Sequence, residues 1–216
     1  MKAGMKKMSK KWWVGLLAVV VLLISGCSDK VDLNLLKKDG AQGFPPSEEL
    51  VKEAKALPNE YKSEKNFSFR YPKNWGDLET YDEGDVSLYR LNEKGEWTDG
   101  TFFVSVYTNE PSGAPQMDEI LFGVDTEKQL KEDKWTDVEI KQVKKHKWQD
   151  GVWFITEYEG KYEGKKEYCE EYYWEDNKGN VRIFDVSFYK KESLEKARPE
   201  FMKIIYSAQM WTGGAK

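Results

Sequence analysis

The chain has 216 residues with 34 basic and 38 acidic side chains, a formal net charge of −4, one histidine and two cysteines. That length suits one domain with flanking segments better than two domains, and the acidic balance argues against nucleic-acid binding, whose footprint is a basic face. So few histidines and cysteines exclude a structural zinc site and a disulfide framework, so the fold must rest on an apolar core, for which an aromatic content of 14 % is ample.

The first residues carry Lys2, Lys6, Lys7, Lys10 and Lys11 and no acid, and Trp12 to Ile24 follows without a charge. A basic stretch, a short apolar run and then small residues read as a secretory signal peptide. The competing reading, a retained anchor, needs roughly 20 apolar residues to cross the hydrocarbon, and this run is shorter. Ile24-Ser25-Gly26-Cys27 closes the run and resembles the lipobox of bacterial lipoproteins. The resemblance implies that the Cys27 thiol takes a diacylglycerol and that a signal peptidase cuts between Gly26 and Cys27. Two acyl chains hold a protein stably at a membrane, where one gives only marginal binding. The expected organisation is a leader over 1–26, a lipidated flexible tether over 27–46 and a single α+β domain over 47–216, on the outer face of the cell membrane. Without the leader lysines, 29 basic residues would face 38 acidic ones.

Ser28 to Pro46 has a linker's composition, with Gly40, Gly43 and Pro45-Pro46 and few large apolar residues. Ser47-Glu48-Glu49-Leu50 predicts a helix start, because serine caps free N–H groups and glutamates suit the positive dipole end. That helix should stop before Pro58. From Asn66 the apolar period becomes two: Phe67, Phe69 and Tyr71 form a strand closed by Pro72. Val86 and Leu88 form a second, and Phe102, Val104 and Val106 a third, with residues 92–100 as a loop. Asp118–Gly123 and Thr126–Lys134 read as two short helical stretches around Gly123. Strands follow over Val138–Val143, Val152–Tyr158, Glu167–Glu175 and Val181–Tyr189, with Asp150-Gly151 as a two-residue hairpin signal. Cys169 reads as a half-buried strand residue. A closing helix over Ser193–Ser207 puts Phe201, Ile204, Ile205 and Ala208 on one stripe, with Pro199 in its first turn or at a kink. About six or seven strands with short connections make a largely antiparallel sheet. Helices before, between and after them must cover its faces, which is an α+β, α/β/α sandwich.

Asn66-Phe67-Ser68-Phe69-Arg70-Tyr71-Pro72-Lys73-Asn74-Trp75 resembles the opening strand of PsbP/Mog1-like domains. Asp150-Gly151-Val152-Trp153-Phe154 is similar to their mid-domain strand start, and Phe201 to Ser207 to their closing helix. The resemblance spans about Tyr61 to Trp211. It implies an antiparallel sheet between helices and accessory or partner-binding work, and it transfers no catalytic residue. The lipobox and tether depart from the photosynthetic and nuclear-transport members, so their partners do not transfer, and fold does not fix function.

His146, the only histidine, sits in Lys144-Lys145-His146-Lys147. A Ser-His-Asp triad would have to use it, and neighbouring lysines oppose its protonation. There is no G-x-S-x-G elbow and no phosphate-cradling glycine loop, and neither a metal nor a cofactor is expected. Glu157, Glu159, Glu163, Glu167, Glu170, Glu171, Glu175 and Asp176 read as a solvated strand face, with a carboxylate pair that hydrolyses a sugar as the alternative. Asp176 to Asn180 reads as a hairpin turn, since a calcium loop would need a distal glutamate. Two features offer binding. Lys141, Lys144, Lys145 and Lys147 read as a solvated hairpin tip or, alternatively, as a patch for anionic wall polymer or lipid head groups. Trp97 lies in a polar loop, where an exposed indole would mark a contact site, and the other tryptophans read mainly as core. The favoured function is a non-catalytic binding or accessory lipoprotein for a protein or envelope ligand. The alternatives are a cell-envelope hydrolase and an assembly factor of a membrane complex.

Overall fold

The computed structural model describes residues 44–63, 67–81, 85–107 and 111–210. Gly26, Cys27, the leader, the tether up to Gly43 and Trp211 lie outside them. The elements are α1 (Glu48–Lys55), β1 (Asn59–Ser63), β2 (Phe67–Tyr71), β3 (Trp75–Thr80), β4 (Val86–Leu91), β5 (Trp97–Tyr107), α2 (Glu119–Glu132), β6 (Thr136–Trp148), β7 (Gly151–Tyr162), β8 (Lys165–Asp176), β9 (Val181–Phe188), α3 (Lys191–Ser207) and β10 (Gln209–Met210). A 7-stranded sheet runs β3-β4-β5-β9-β8-β7-β6, and a 3-stranded sheet runs β1-β2-β10. Every pairing is antiparallel. The expected α+β class with a largely antiparallel sheet of about six or seven strands is what forms, although β2, expected in that sheet, lies in the small one and β3 joins the large one instead.

The apolar alternation dictates the core. Leu88, Phe102, Phe184, Ile155 and Tyr172 point to one face and pack with Phe201, Ile204 and Ile205 of α3 and Phe67 and Phe69 of β2. The Ser207 hydroxyl ties α3 to β2, accepting from the Arg70 N–H at 2.7 Å and donating to the Ile204 carbonyl, also at 2.7 Å. Trp75 is 1 % exposed, and its indole N–H donates to Glu200 of α3 at 3.0 Å. Asn74 and Arg90 donate to the same carboxylate. The Tyr-Pro-x-x-Trp segment is thus a clamp between the first strands and the last helix.

Several expectations are corrected. α2 is one continuous helix. A glycine weakens a helix by only about 1 kcal/mol, and here Gly123 lets α2 lie close on β6, where an added Cβ would come within 3.0 Å of Val143. Lys134, at φ 71°, takes the left-handed position that ends α2, and the Trp135 N–H reaches the Leu130 carbonyl at 3.0 Å. β1 and β3 are additional strands; Asn59-Glu60-Tyr61-Lys62-Ser63 has too little apolar alternation to announce itself. Residues 92–100 are not all loop, since β5 begins at Trp97. The β6–β7 turn is Gln149-Asp150, both at positive φ, with Gly151 already paired in β7. Pro199 lies inside α3. Cys169 is fully buried, at 1 % exposure. Phe44, in the segment read as tether, is 8 % exposed and packs on Trp153, Trp148 and His146 at ring distances of 5.0, 5.4 and 5.4 Å. The packed body therefore reaches back at least to Phe44.

Candidate functional site

The two faces of the large sheet are covered differently. α3 packs across β5, β8 and β9 on the first face. On the second, α2 packs on β6 and β7, and its Phe122 ring stacks on Phe154 at 4.0 Å. α2 reaches β8 as well: its Phe122 ring meets Tyr173 edge-on at 5.3 Å, and Asp125 lies near enough to raise the Glu171 pKa. Among the described residues no helix packs extensively on the second face of β9, β5 or β4.

Strand register fixes what this second face displays. Thr156 of β7 stands opposite Glu171 of β8, Glu171 opposite Asp185 of β9, and Asp185 opposite Phe103 of β5. The same row continues through Ser87 of β4 to Glu79 of β3. Alternation brings Tyr158, Cys169 and Glu167 to the same face. The Tyr158 hydroxyl donates to Asp185 at 3.3 Å. Thr156 is 0 % exposed, and its hydroxyl has no hydrogen-bond partner. Aromatic rings border the row: Tyr81 lies 6.3 Å from Phe103, and Tyr81 and Tyr89 both donate to Glu79. Trp97, 49 % exposed, meets Tyr189 edge-on at 6.2 Å. On α2, Leu121 is 58 % and Val124 48 % exposed, close in sequence to the half-buried Asp125.

Burial and like charge hold these acids protonated to unusually high pH. Glu171 is pushed up to about 8, by burial first and then by the charges of Asp185 and Asp125. Asp185 is pushed up to about 7, again chiefly by burial, with Glu167 adding to the rise and the Tyr158 hydroxyl opposing it. Burial also raises Asp125 and Glu167. Glu171 and Asp185 nonetheless keep part of their surface open to water. Solvent therefore reaches part of the row. No group of acids, histidines or cysteines among the described residues has metal-holding geometry.

The residues singled out from the sequence are dispersed. Lys144 to Lys147 are in β6, not at a hairpin tip. Alternation sends Lys145 and Lys147 to one face and Lys144 and His146 to the other. Lys145 donates to the Pro115 and Met117 carbonyls at 2.8 and 2.6 Å, and Lys141 pairs with Glu139 and Glu159 at 2.5 and 3.5 Å. The four lysines therefore do not form one patch. His146 is held below its ordinary pKa by burial first and Lys144 second, with Glu119 opposing. Trp97 is exposed, as expected, but from the first residue of a strand.

The acid list is not one solvated face either. Glu170 is 1 % exposed and bound by Arg198. Glu175 is 3 % exposed and accepts from Ser112 and Tyr173. Asp176 accepts from the Lys178 and Asn180 N–H groups, which makes the expected hairpin turn. A separate groove of about 890 Å³ opens at this hairpin end, lined by Pro111, Pro115, Lys147, Trp148, Gly151 and Lys178 among others. Asp185, Thr156 and Phe103 are not among the site residues read from the sequence; the available signal is an acid between Phe184 and Val186 in β9.

No family model matches the sequence, and no curated protein matches it. Solved structures do. The solution structure of cyanobacterial PsbP (CyanoP) from Synechocystis sp. PCC 6803 superposes with a TM-score of 0.53 at 16 % identity, over 71 % of this chain and 92 % of that one. A crystal structure from Bacteroides thetaiotaomicron VPI-5482 gives 0.47 at 17 % identity over 74 % of this chain and about half, 51 %, of that one. A protein of unknown function from Pseudomonas aeruginosa gives 0.44 at 12 % identity over 70 % of this chain and 96 % of that one. Identities this low speak to fold alone, and the likeness to the Synechocystis protein carries it: the domain has a PsbP-like α+β fold.

Proposed function

We propose that this protein is an extracytoplasmic lipoprotein, anchored to the outer face of the cell membrane through Cys27, whose PsbP-like domain is a non-catalytic binding module. The observation that carries the binding reading is the row Thr156, Glu171, Asp185 and Phe103 on the second sheet face, which α2 covers at the β7 and β8 end and leaves at Asp185 and Phe103. Buried polar groups cost folding free energy unless paired, and strongly shifted acids are candidates for a functional site. A carboxylate-pair hydrolase fits less well. It needs one acid protonated and its partner ionised, in environments that push the two apart, whereas Glu171 and Asp185 are both pushed up.

The anchoring reading rests on the leader and on Ile24-Ser25-Gly26-Cys27. Among the described residues no helix is long and apolar enough to cross a membrane. The test is metabolic labelling with a fatty-acid analogue, followed by fractionation of cells carrying the wild type or Cys27→Ser. The wild type should be labelled and sediment with membranes, and the variant should lose the label. A Cys27→Ser protein labelled at full strength would refute the anchor.

A further inference from the structure

Resting on the Cys27 anchor proposed above, we propose that the outward face of α2, built on Ile120, Leu121 and Val124, lies against the lipid surface that holds the anchor. Composition is the first argument. These three side chains are 43, 58 and 48 % exposed, and among the described residues every exposed large aliphatic side chain is one of them. α2 buries Phe122, Gly123, Thr126 and Leu130 against the sheet. Helical spacing therefore places Leu121, Val124, Lys128 and Lys131 on the opposite, outermost stripe, with Ile120 one turn before Val124. A helix start that is apolar all round is expected to be covered all round, and the sheet covers only one side of it.

The second argument is where the anchored segment joins the body. Phe44 is the first described residue, and its ring packs on His146 at 5.4 Å. The preceding residue of β6, Lys145, gives its N–H to Glu119 of α2 at 2.8 Å and its ammonium to the Pro115 and Met117 carbonyls. Phe44 and the first turn of α2 thus flank the same two residues of β6, the edge strand of the large sheet. The 17 residues from Cys27 to Gly43 would span roughly 23 Å as a coil, about twice the diameter of a helix, so an anchor at Cys27 leaves α2 within reach of the lipid. Anchoring also makes the second contact intramolecular, so a patch too small to bind from solution suffices. The third argument is charge. The chain is acidic, but this stripe carries only Lys128 and Lys131. The acids beside it are engaged: Glu132 pairs with Lys128 at 3.9 Å, Glu127 with Lys131 at 2.5 Å, Asp118 accepts the Leu121 N–H and Glu119 the Lys145 N–H. Lysine stems lie along apolar surface while their ammonium groups stay with the head groups. Aliphatic residues with lysines on one helix suit an interfacial contact.

The test uses the full protein purified from membranes and reconstituted in vesicles of phosphatidylethanolamine and phosphatidylglycerol, with a thiol-reactive fluorophore at Lys128→Cys. The label goes there alone, because Cys169 is 1 % exposed with its thiol pushed up by burial, and an acylated Cys27 has no free thiol. The apolar face of an interfacial helix sinks about 5–10 Å into the head-group boundary, so nitroxide-labelled phospholipid should quench this probe at least about threefold more than a probe at Glu195→Cys, on the exposed side of α3. Leu121→Gln with Val124→Gln should bring the Lys128 probe down to the Glu195 level, while the protein keeps its circular dichroism and still floats with the vesicles. Equal quenching at the two positions in floating protein, or undiminished quenching in the folded glutamine variant, would overturn the lipid contact and leave the anchor standing. A disulfide-linked Lys128→Cys dimer on the vesicles, with no quenching, would assign the face to a second copy and overturn the lipid contact equally. Vesicles that float without the protein would remove the anchor reading and this contact with it.

Discussion

Replacing Glu171 by glutamine and Asp185 by asparagine should stabilise the protein at alkaline pH and leave it nearly unchanged at pH 5. The folded-state values of about 8 and about 7 stand above ordinary values of 4.5 and 3.8. The folded state therefore keeps protons that the unfolded chain has already released. Between about pH 4 and pH 8 the unfolded state binds fewer protons, so stability falls as pH rises and levels off above the folded values. One pKa unit is worth 1.36 kcal/mol, which bounds each residue at about 4–5 kcal/mol. Water reaching both carboxyls, and the share each shift owes to the other's charge, bring the expectation to about 2 kcal/mol per substitution at pH 9. Either amide resembles the protonated acid in shape and keeps an oxygen for hydrogen bonding, so the loss at pH 5 should be small. For a domain of this size 2 kcal/mol corresponds to roughly 4–8 °C in Tm. Urea titrations at pH 5, 7 and 9, followed by tryptophan fluorescence, measure the effect directly. A double variant with the wild-type pH slope, or one destabilised at pH 9, would refute the assignment of these acids to a buried, like-charged cluster.

Two further substitutions test the packing. Phe44→Ala should cost about 2–3 kcal/mol in urea unfolding, because the ring is 8 % exposed among Trp148, Trp153 and Tyr206; a loss below about 0.5 kcal/mol would return Phe44 to the tether. Gly151→Ala should cost about 2 kcal/mol or more, since its Cβ would stand 2.2 Å from the Trp174 indole nitrogen and 2.8 Å from the Glu175 carbonyl. Wild-type stability in that variant would mean that the β7–β8 spacing is slack.

Periodicity made much of the fold legible. Phe67, Phe69 and Tyr71 announced β2, and the stripe Phe201, Ile204 and Ile205 announced α3, because each buries one face against the other. Where burial is not periodic, the sequence is silent. Phe44 is one ring in a linker-like composition, and β1 alternates tyrosine with glutamate and lysine. Gly123 looked like a break because its value lies in the approach of α2 to Val143, a contact between segments distant in the chain. The site was harder still. Lys144 to Lys147 looked like a patch in one dimension, and strand alternation separates them. Glu171 looked solvated among other acids, and its character comes from Asp185 and Asp125, which belong to other elements.

The most direct test of an anchored binding domain is site-specific photo-crosslinking in intact cells from Phe103, half-buried on the second sheet face, against Glu195, on the exposed side of α3. A discrete adduct should form from Phe103 and none from Glu195, and the Phe103 adduct should be lost when Cys27→Ser releases the protein from the membrane. Equal yields from both positions, or a Phe103 adduct undiminished in the released protein, would contradict an anchored binding domain.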